Sequence, residues 1–295
     1  MFRLLFYTGG ATGSGHIALG LSVANALRRS GLRHEFQLLS VETPFADLAR
    51  RQGVDVRTIP AEDEDTLGPG RWRESRLYRA IVEYNPDILV VDLFWFALDS
   101  FVRELPCRKA ILIRQVDPRF FHFRVKDREI VFGPDDYDLV ATVEPGFELP
   151  FPSELLEPLV MRNREEIKEA AIARAELGIE AGERACFFGF NGKEGEGVQV
   201  WKSFDYLEAE GWKVIRSDNR TGGLFPAVDW YNAFDMVVCG AGYNAFWEAR
   251  YFGKEAFFAP FPRNFEDQFH RVRVNSDYVP KENGADQLVR RLLDR

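Results

Sequence analysis

The chain has 295 residues, which is enough for two domains of roughly 100–200 residues or for one large barrel. Hydrophobic residues make up 46% of it and charged residues 28%, a balance that is typical of a soluble globular protein with a sizeable core. The net charge of −8 opposes nonspecific binding of nucleic acid, and no apolar run approaches the roughly 20 residues that cross a bilayer.

The N-terminal segment and the cysteines indicate the compartment. A single arginine and a short apolar run precede a glycine turn, and a β-strand explains this pattern better than a signal peptide does. The three cysteines are widely spaced and odd in number, which predicts buried thiols and neither a disulfide framework nor a metal cluster. We therefore expect a cytoplasmic protein whose 26 phenylalanines lie mainly in the core.

The chain opens with a strand pattern, a glycine-rich turn and a helix pattern. The apolar run at residues 2–7 leads into the glycine-rich loop at residues 8–16, and residues 17–29 follow with helical periodicity. Glycines let such a loop approach a ligand closely, and the first amides of the next helix favour an anion there. His16 stands at the mouth of that helix, where a titratable group is well placed to move a proton.

Strand and helix patterns then alternate through the first half of the chain. Strands are predicted at residues 36–40, 54–59, 86–92, 110–115 and 139–143, and helices at residues 44–52 and 71–84. This alternation predicts a parallel sheet, in which functional groups stand at the carboxyl ends of the strands. Asp92 ends one of these strands, and Arg114 with Gln115 ends the next.

Two charged segments of the first half have more than one interpretation. Residues 61–70 read as a polar loop, and their Asp63-x-Asp65 pair is better explained as a solvated charge run than as a metal site. The helix at residues 71–84 carries four arginines between apolar residues. An ordinary amphipathic helix on the sheet explains that pattern best, and a membrane-surface or acceptor-binding face is the alternative.

The second half repeats the architecture of the first. Four prolines between residues 145 and 158 predict a stiff connector, which divides the chain into domains at 1–148 and 149–275. Strands are predicted at residues 185–190, 213–216, 235–239 and 256–259, and helices at residues 162–177, 198–210, 243–251, 264–274 and 285–294. We expect an α/β fold of two Rossmann-like domains with parallel sheets, with the last helix, about 276–295, packing back on the first domain.

Motifs in both halves carry a resemblance to a known family. The glycine-rich loop ending at His16 resembles the Gly-Gly-x-Gly-Gly-His loop of the bacterial UDP-N-acetylglucosamine:lipid-linked muramyl peptide transferases. Residues 233–260 and 265–271 resemble the donor-binding region of the same family, while residues 188–192 lack the serine of its second-domain loop. The resemblance covers most of the chain and implies the GT-B fold, with a nucleotide sugar bound in the cleft between the domains.

The resemblance also implies a donor site in the second domain. Backbone amides of its second glycine turn would meet the diphosphate at a helix N-terminus, so that no metal and no other cofactor is required. Glu248 would accept hydrogen bonds from both ribose hydroxyls, and Asp267 and Gln268 would hold the sugar, unless they simply begin an acidic helix. The predicted donor-binding residues are Gly189, Asn191, Gly240, Ala241, Gly242, Tyr243, Asn244, Glu248, Asp267 and Gln268.

On the first domain, His16 is the predicted general base and Asp92 the carboxylate that orients its ring. A helix-capping or core histidine is the alternative. The predicted acceptor-side residues are Gly10, Gly13, Gly15, Arg114 and Gln115, with a structural ion pair as the other interpretation of Arg114.

Together these features predict an inverting, metal-independent, hexosyltransferase-like enzyme with a nucleotide diphosphate-sugar donor, UDP being implied by the resemblance. The alternatives are a nucleotide-sugar hydrolase that uses water as acceptor and a non-catalytic nucleotide-sugar binding protein. A dehydrogenase is disfavoured because Ser40, and no acidic residue, ends the second strand. The expected partners are the donor and an acceptor that the sequence does not identify, with no nucleic acid. The resemblance implies that the enzyme acts in building the cell envelope. Peripheral contact with the inner face of the membrane is an open alternative.

Overall fold

A computed structural model describes residues 1–294, and the first half of the chain forms a parallel sheet. The strands of this half are β1 (Phe2–Thr8), β2 (His34–Val41), β3 (Asp55–Ile59), β4 (Ile88–Asp92), β5 (Arg108–Ile113), β6 (His122–Val125), β7 (Arg128–Val131), β8 (Leu139–Thr142) and β9 (Glu154–Leu155). Seven of them make one sheet in the order β3-β2-β1-β4-β5-β8-β9, and β6 and β7 form a separate antiparallel hairpin.

The helices of the first half are α1 (Gly15–Ser30), α2 (Ala46–Arg51), α3 (Glu64–Leu67) and α4 (Arg76–Tyr84). Helix α1 is buried from Ile17 to Leu27 because it lies directly on the sheet. Gly20 permits this approach, since a Cβ there would lie only 2.5 Å from Cδ1 of Leu38 on β2. The helix ends at Gly31, whose φ of 67° is a left-handed conformation that glycine adopts without strain.

The second half contains a smaller parallel sheet. Its strands are β10 (Ala185–Gly189), β11 (Lys213–Ser217), β12 (Met236–Gly240) and β13 (Glu255–Ala259), in the order β11-β10-β12-β13. Its helices are α5 (Ala170–Glu176), α6 (Glu196–Trp201), α7 (Tyr206–Ala209), α8 (Tyr243–Tyr251), α9 (Gln268–Asn275) and α10 (Gly284–Leu293). The mixed architecture of two parallel sheets with flanking helices confirms the predicted fold class.

The last helix returns to the first half, where α10 packs against α1. The side chains of Arg29 and Asp286 pair across this contact at 2.7 Å. Strand β9 pairs with β8, so the first sheet continues to Leu155, beyond residue 148, where the sequence analysis divides the chain. No helix within residues 1–294 combines the length and the apolar character that a membrane span requires.

Several predicted helices are shorter in the structure. The helix predicted at residues 162–177 begins only at Ala170, because Asn163 caps a separate short turn at Arg164–Glu166. The helix predicted at residues 198–210 is interrupted between α6 and α7. The acidic loop at residues 61–70 contains α3, which Asp63 caps by accepting a hydrogen bond from the Thr66 amide at 2.8 Å. The β6–β7 hairpin is not among the strands predicted from the sequence.

A buried ion pair joins the two halves. Glu144 follows β8 in the first half, Arg271 lies on α9 in the second, and both side chains are fully buried. The carboxylate of Glu144 accepts two hydrogen bonds from the guanidinium, at 2.7 and 2.8 Å, and one from the indole N–H of Trp247 at 2.8 Å. Arg271 also donates to the carbonyl of Ala241 at 3.0 Å, and it pairs with Glu266. The pair therefore fixes the second glycine turn relative to the first domain.

Breaking this pair is expected to destabilise the whole chain. Arg271→Met leaves Glu144 buried without its cation, and we expect the free energy of unfolding to fall by about 3–5 kcal/mol. Urea denaturation followed by tryptophan fluorescence measures the loss. Arg290→Met is the matched control, because Arg290 pairs with Glu282 on the surface, where a loss of about 0–1 kcal/mol is expected. Equal losses for the two variants would contradict the role given to Arg271.

Candidate functional site

A cleft of about 1080 Å³ lies between the two halves. The loops after β1, β4 and β5 line one side, and the loops after β10, β12 and β13 line the other. All six strands present their carboxyl ends to this cleft, which is where open parallel sheets bind ligands. The cleft is therefore the candidate functional site.

His16 stands in the wall of the cleft at the start of α1. Its Nδ1 lies 2.6 Å from Oδ2 of Asp92, so we assign the Nδ1 proton to this hydrogen bond. The other ring nitrogen, Nε2, has no hydrogen-bond partner among residues 1–294 and is the one available to a ligand. The ring is confined on two sides, since Phe94 packs 5.2 Å from its centroid and a Cβ at Gly10 would lie 2.0 Å from its Cδ2.

Asp92 lies behind His16 at the end of β4, completely buried. The hydroxyl of Thr8 donates to its Oδ2 at 3.1 Å, and Nη2 of Arg114 lies 3.1 Å from its Oδ1. Burial alone raises the pKa of this carboxyl, but the charges of Arg114 and His16 and the two hydrogen bonds outweigh it and hold the pKa below its usual value. Asp92 is therefore a permanent negative charge at neutral pH, as an orienting carboxylate must be.

Arg114 and Gln115, expected on the acceptor side, both line the cleft, and both also contact the other half of the chain. The guanidinium of Arg114 lies over the ring of Tyr243 at 5.6 Å. The side-chain oxygen of Gln115 accepts a hydrogen bond from the amide of Asp267 at 2.7 Å. Since Arg114 also pairs with Asp92, the structural ion pair that the sequence analysis left open is present.

The second glycine turn leads into α8 on the opposite wall. Gly242 caps this helix, and Gly240, Gly242, Tyr243 and Asn244 line the cleft. The first amides of a helix have no partner within it, so this helix start presents donors and a positive dipole end to the cleft. Ala241 departs from the expectation, because its amide donates to the carbonyl of Ala259 at 3.1 Å and it is fully buried. Its amide is therefore not free for a diphosphate.

Two side chains of α8 also hold the halves together. The hydroxyl of Tyr243 donates to the carbonyl of Val143 and accepts from the amide of Leu159, both at 2.9 Å. The amide group of Asn244 donates to the carbonyl of Gly15 at 2.7 Å. The start of α8 is thus tied directly to the glycine-rich loop that carries His16.

Glu248 lies one and a half turns along α8 and lines the cleft, half-buried. The pKa of its carboxyl is raised to about 8, mainly by burial and to a smaller extent by the charge of Asp229, although a backbone hydrogen bond from Met161 and the charge of Arg162 act in the opposite direction. Hydrogen-bond donors such as hydroxyls stabilise the ionised form of a carboxyl, so a ligand that brings hydroxyls to Glu248 lowers its pKa.

The segment before α9 differs from the expectation. Asp267 is exposed, does not line the cleft, and caps α9 by accepting from the amide of His270 at 2.9 Å, which is the helix-start alternative. Gln268 lines the cleft, but its carbonyl oxygen accepts from the amide of Phe261 at 3.0 Å and its amide group donates to Glu266 at 3.1 Å. Glu266 itself lines the cleft, where the sequence analysis did not place it.

The two glycine-rich loops face each other across the cleft. A Cβ at Gly13, whose φ is 81°, would lie 3.6 Å from the carbonyl oxygen of Asn191. The side-chain oxygen of Asn191 accepts from the amide of Asn219 at 2.7 Å, and Asn219 in turn donates to the hydroxyl of Ser14 at 2.9 Å. Gly15 and Gly189 also line the cleft, whereas Gly10 lies behind His16.

One group of lining residues was missed by the sequence analysis. These side chains form what we call the phenylalanine wall: Phe94, Phe96, Phe120, Phe123 and Phe265. The centroids of neighbouring rings of the wall lie 5.3–6.0 Å apart, and all six of these pairs are edge to face. They come from three separate stretches of chain, so no local motif marks them. The excess of phenylalanine is the one sequence signal that pointed to them, and we had assigned it to the core.

Within residues 1–294, no group of three or more His, Cys, Asp or Glu side chains is arranged to hold a metal ion. Asp65 of the acidic segment pairs instead with Lys126 on the β6–β7 hairpin, at 2.5 Å.

Known proteins resemble this chain in structure but not in sequence. No family model matches the chain, and no curated protein matches it. Among solved structures, MurG of Acinetobacter baumannii is similar with a TM-score of 0.54 and 13% identity, over 100% of this chain and 91% of that one. The Streptomyces sp. SF2575 glycosyltransferase SsfS6, complexed with thymidine diphosphate, has a TM-score of 0.62 and 16% identity over 94% of this chain and 86% of its own.

A third similar structure is UGT2 of Phytolacca americana, complexed with UDP-2-fluoro-glucose and pterostilbene. Its TM-score is 0.59 and its identity 10%, over 100% of this chain and 91% of that one. The similar structures are GT-B glycosyltransferases. This chain therefore has the GT-B fold, two Rossmann-like domains with a ligand cleft between them, and resembles MurG in that fold.

Proposed function

We propose that this chain is an inverting, metal-independent glycosyltransferase that moves a sugar from a nucleoside diphosphate to an acceptor hydroxyl. The observation that carries the proposal is the His16–Asp92 pair, 2.6 Å apart, in a cleft whose opposite wall is the start of α8. A base that is oriented by a buried carboxylate can remove the proton of the acceptor. The helix start on the opposite wall favours an anion and can stabilise the leaving diphosphate. The shared fold supports the class of reaction.

In this proposal, His16 acts on the acceptor. Its Nε2 takes the proton of the acceptor hydroxyl while the hydroxyl oxygen attacks the anomeric carbon from the side opposite the diphosphate. A bond forms between that carbon and the oxygen, and the bond to the β-phosphate oxygen breaks with its electron pair on the diphosphate. Asp92 stabilises the imidazolium that results, and the α8 dipole stabilises the leaving group.

The donor lies on the second domain in this proposal. The similar structures bound to thymidine diphosphate and to UDP-2-fluoro-glucose support a nucleoside diphosphate sugar, and we take UDP as the nucleotide to test first. The ribose hydroxyls favour the ionised form of Glu248, because only the carboxylate offers acceptors alone, and that carboxylate accepts their hydrogen bonds. Gly240, Gly242 and the start of α8 receive the diphosphate.

The base assignment is tested with two variants. His16→Ala and Asp92→Asn are each expected to lower the release of nucleoside diphosphate from a UDP-, GDP- or TDP-sugar by about 10²–10⁴-fold, because proton transfer is lost or misdirected. UDP binding, measured by calorimetry, should stay within a few-fold of the unaltered protein. His34→Ala is the matched control, since His34 is a half-buried histidine at the start of β2 that does not line the cleft.

The same assay distinguishes the alternative functions. Release that requires an added acceptor, such as cell-envelope extract or a small alcohol, supports transfer. Release with water alone identifies a hydrolase, and tight binding without release identifies a binding protein. Unchanged turnover in both His16→Ala and Asp92→Asn would refute the base.

Glu248→Gln is expected to raise the thermal stability of the chain and to lower its affinity for UDP. Because the pKa of Glu248 is about 8 in the folded chain, ionisation of this carboxyl favours the unfolded chain. The resulting loss in the free energy of unfolding is absent below the usual carboxyl pKa and grows as the pH rises to 8. The variant should therefore melt a few degrees higher than the unaltered protein at pH 8, with little difference at pH 4 to 5. Its UDP affinity should fall about 10- to 100-fold, because charge-assisted hydrogen bonds are lost.

Thermal unfolding at the two pH values and calorimetry with UDP measure these effects. Glu255→Gln, on the exposed start of β13, is the control and should change neither quantity. A Glu248→Gln variant that binds UDP at full affinity would remove the ribose role.

A further inference from the structure

The side of the cleft beside His16 carries a continuous group of aromatic side chains. The second-domain side mixes polar residues such as Lys193 and Glu248 with apolar ones such as Phe225. Beside His16, by contrast, the five rings of the phenylalanine wall pack on one another, beginning with Phe94 against the imidazole ring. An acceptor next to the proposed base therefore meets an extended aromatic surface.

Further apolar side chains extend the wall. Val125 on the β6–β7 hairpin and Leu67 on α3 line the same part of the cleft, half-buried, and the salt bridge between Lys126 and Asp65 joins the two elements that carry them. Behind the wall, Trp95 is buried and stacks on Phe123 at 5.9 Å. The aromatic side chains thus form a packed and supported surface.

The second domain completes this surface. Phe265 is 39% exposed, and its ring lies 5.3 Å from Phe120 and 6.0 Å from Phe123. Its backbone carbonyl accepts a hydrogen bond from the amide of Asp117 at 2.6 Å. Because Phe265 is followed directly by Glu266, which lines the donor side, the acceptor surface meets the donor side at this segment.

We propose that the acceptor is a compact aromatic alcohol, such as a phenol of two or three fused or linked rings, seated against the phenylalanine wall with its hydroxyl at Nε2 of His16. This inference rests on the proposed function. The rings of the wall pack edge to face into one continuous aromatic surface, and a flat aromatic partner laid on that surface gains from both burial and further aromatic contact.

The charge around the wall disfavours a lipid-borne acceptor. Helix α3 is preceded by Asp63 and begins with Glu64 and Asp65, all exposed, and Glu64 lines the cleft. The facing hairpin at residues 122–131 carries one more cation than carboxylates, whereas residues 61–70 carry four carboxylates and no Lys or Arg, and Lys126 of the hairpin turn is paired with Asp65. Acidic side chains are repelled by anionic lipid headgroups, so this edge of the cleft is poorly suited to rest on a bacterial membrane. A soluble acceptor fits the site better than one anchored in a bilayer.

Binding of 4-methylumbelliferone, a fluorescent two-ring phenol, tests the inference without any sugar donor. We expect saturable binding by fluorescence titration, at least tenfold tighter than that of methyl glucoside, a polar alcohol, measured by calorimetry. Phe96→Ser, which removes a ring from the wall, should weaken phenol binding about tenfold or more. Val125→Trp should weaken it similarly by filling the space, and it leaves the five rings in place if Phe96→Ser folds poorly.

Phe257→Ser is the matched control, because Phe257 is an exposed phenylalanine on β13 that does not line the cleft. It should bind the phenol within twofold of the unaltered protein. A second arm offers polyprenyl phosphate in phosphatidylglycerol vesicles, and we expect no cosedimentation of the protein.

The outcomes separate this inference from the proposed function. Phenol binding that is no tighter than methyl glucoside binding, or that survives both Phe96→Ser and Val125→Trp, overturns the inference, as does binding only to the lipid vesicles. Phenol binding that responds to both variants supports it, even if no nucleoside diphosphate is released from any sugar nucleotide. In that last case the proposed transferase activity fails while the aromatic binding site stands.

Discussion

The buried pair of Glu144 and Arg271 is the interaction on which the geometry of the cleft depends. Two opposite charges without access to water remain stable only when each is matched and hydrogen-bonded, and here the amide of Gln115, the indole of Trp247 and the carbonyl of Ala241 complete the set. These partners come from both domains. The two walls of the cleft are therefore held in one arrangement by electrostatics and not by apolar contact alone.

This arrangement explains why the His16 ring is confined while its Nε2 still faces the cleft. The absence of a side chain at Gly10 leaves the space that the imidazole fills, and Asp92, whose charge is secured by Arg114, takes up one ring nitrogen. The hydrogen bond from Asn244 to Gly15 then ties the loop that carries His16 to the start of α8. The proposed base and the proposed diphosphate site are thus parts of one hydrogen-bonded unit.

The unequal chemistry of the two walls suggests how the proposed reaction is divided. The second-domain side has a helix start and a carboxyl whose pKa is raised by burial, features that suit a charged and hydroxylated donor. The other side has aromatic rings around the same histidine, features that suit an apolar acceptor. Residues 265 and 266 link the two sides, because Phe265 belongs to the aromatic surface while Glu266 lines the donor side.

The sequence by itself determined the alternation of strands and helices and the position of both glycine turns, because these follow from periodicity and from glycine content. It also predicted that His16 lies beyond the end of one strand and Asp92 at the end of another, but that β1 and β4 are neighbours, which brings the two side chains into contact, depends on the order of strands in the sheet. Only the tertiary structure decided that the amide of Ala241 donates to a backbone carbonyl, that Asp267 lies outside the cleft and caps α9, and that phenylalanines distant in the chain form one wall. The same holds for the β6–β7 hairpin and for the late start of α9, where the backbone before the helix bonds to the first domain. Local patterns specify elements, whereas contacts between residues far apart in the chain depend on how those elements pack, and no local pattern encodes them.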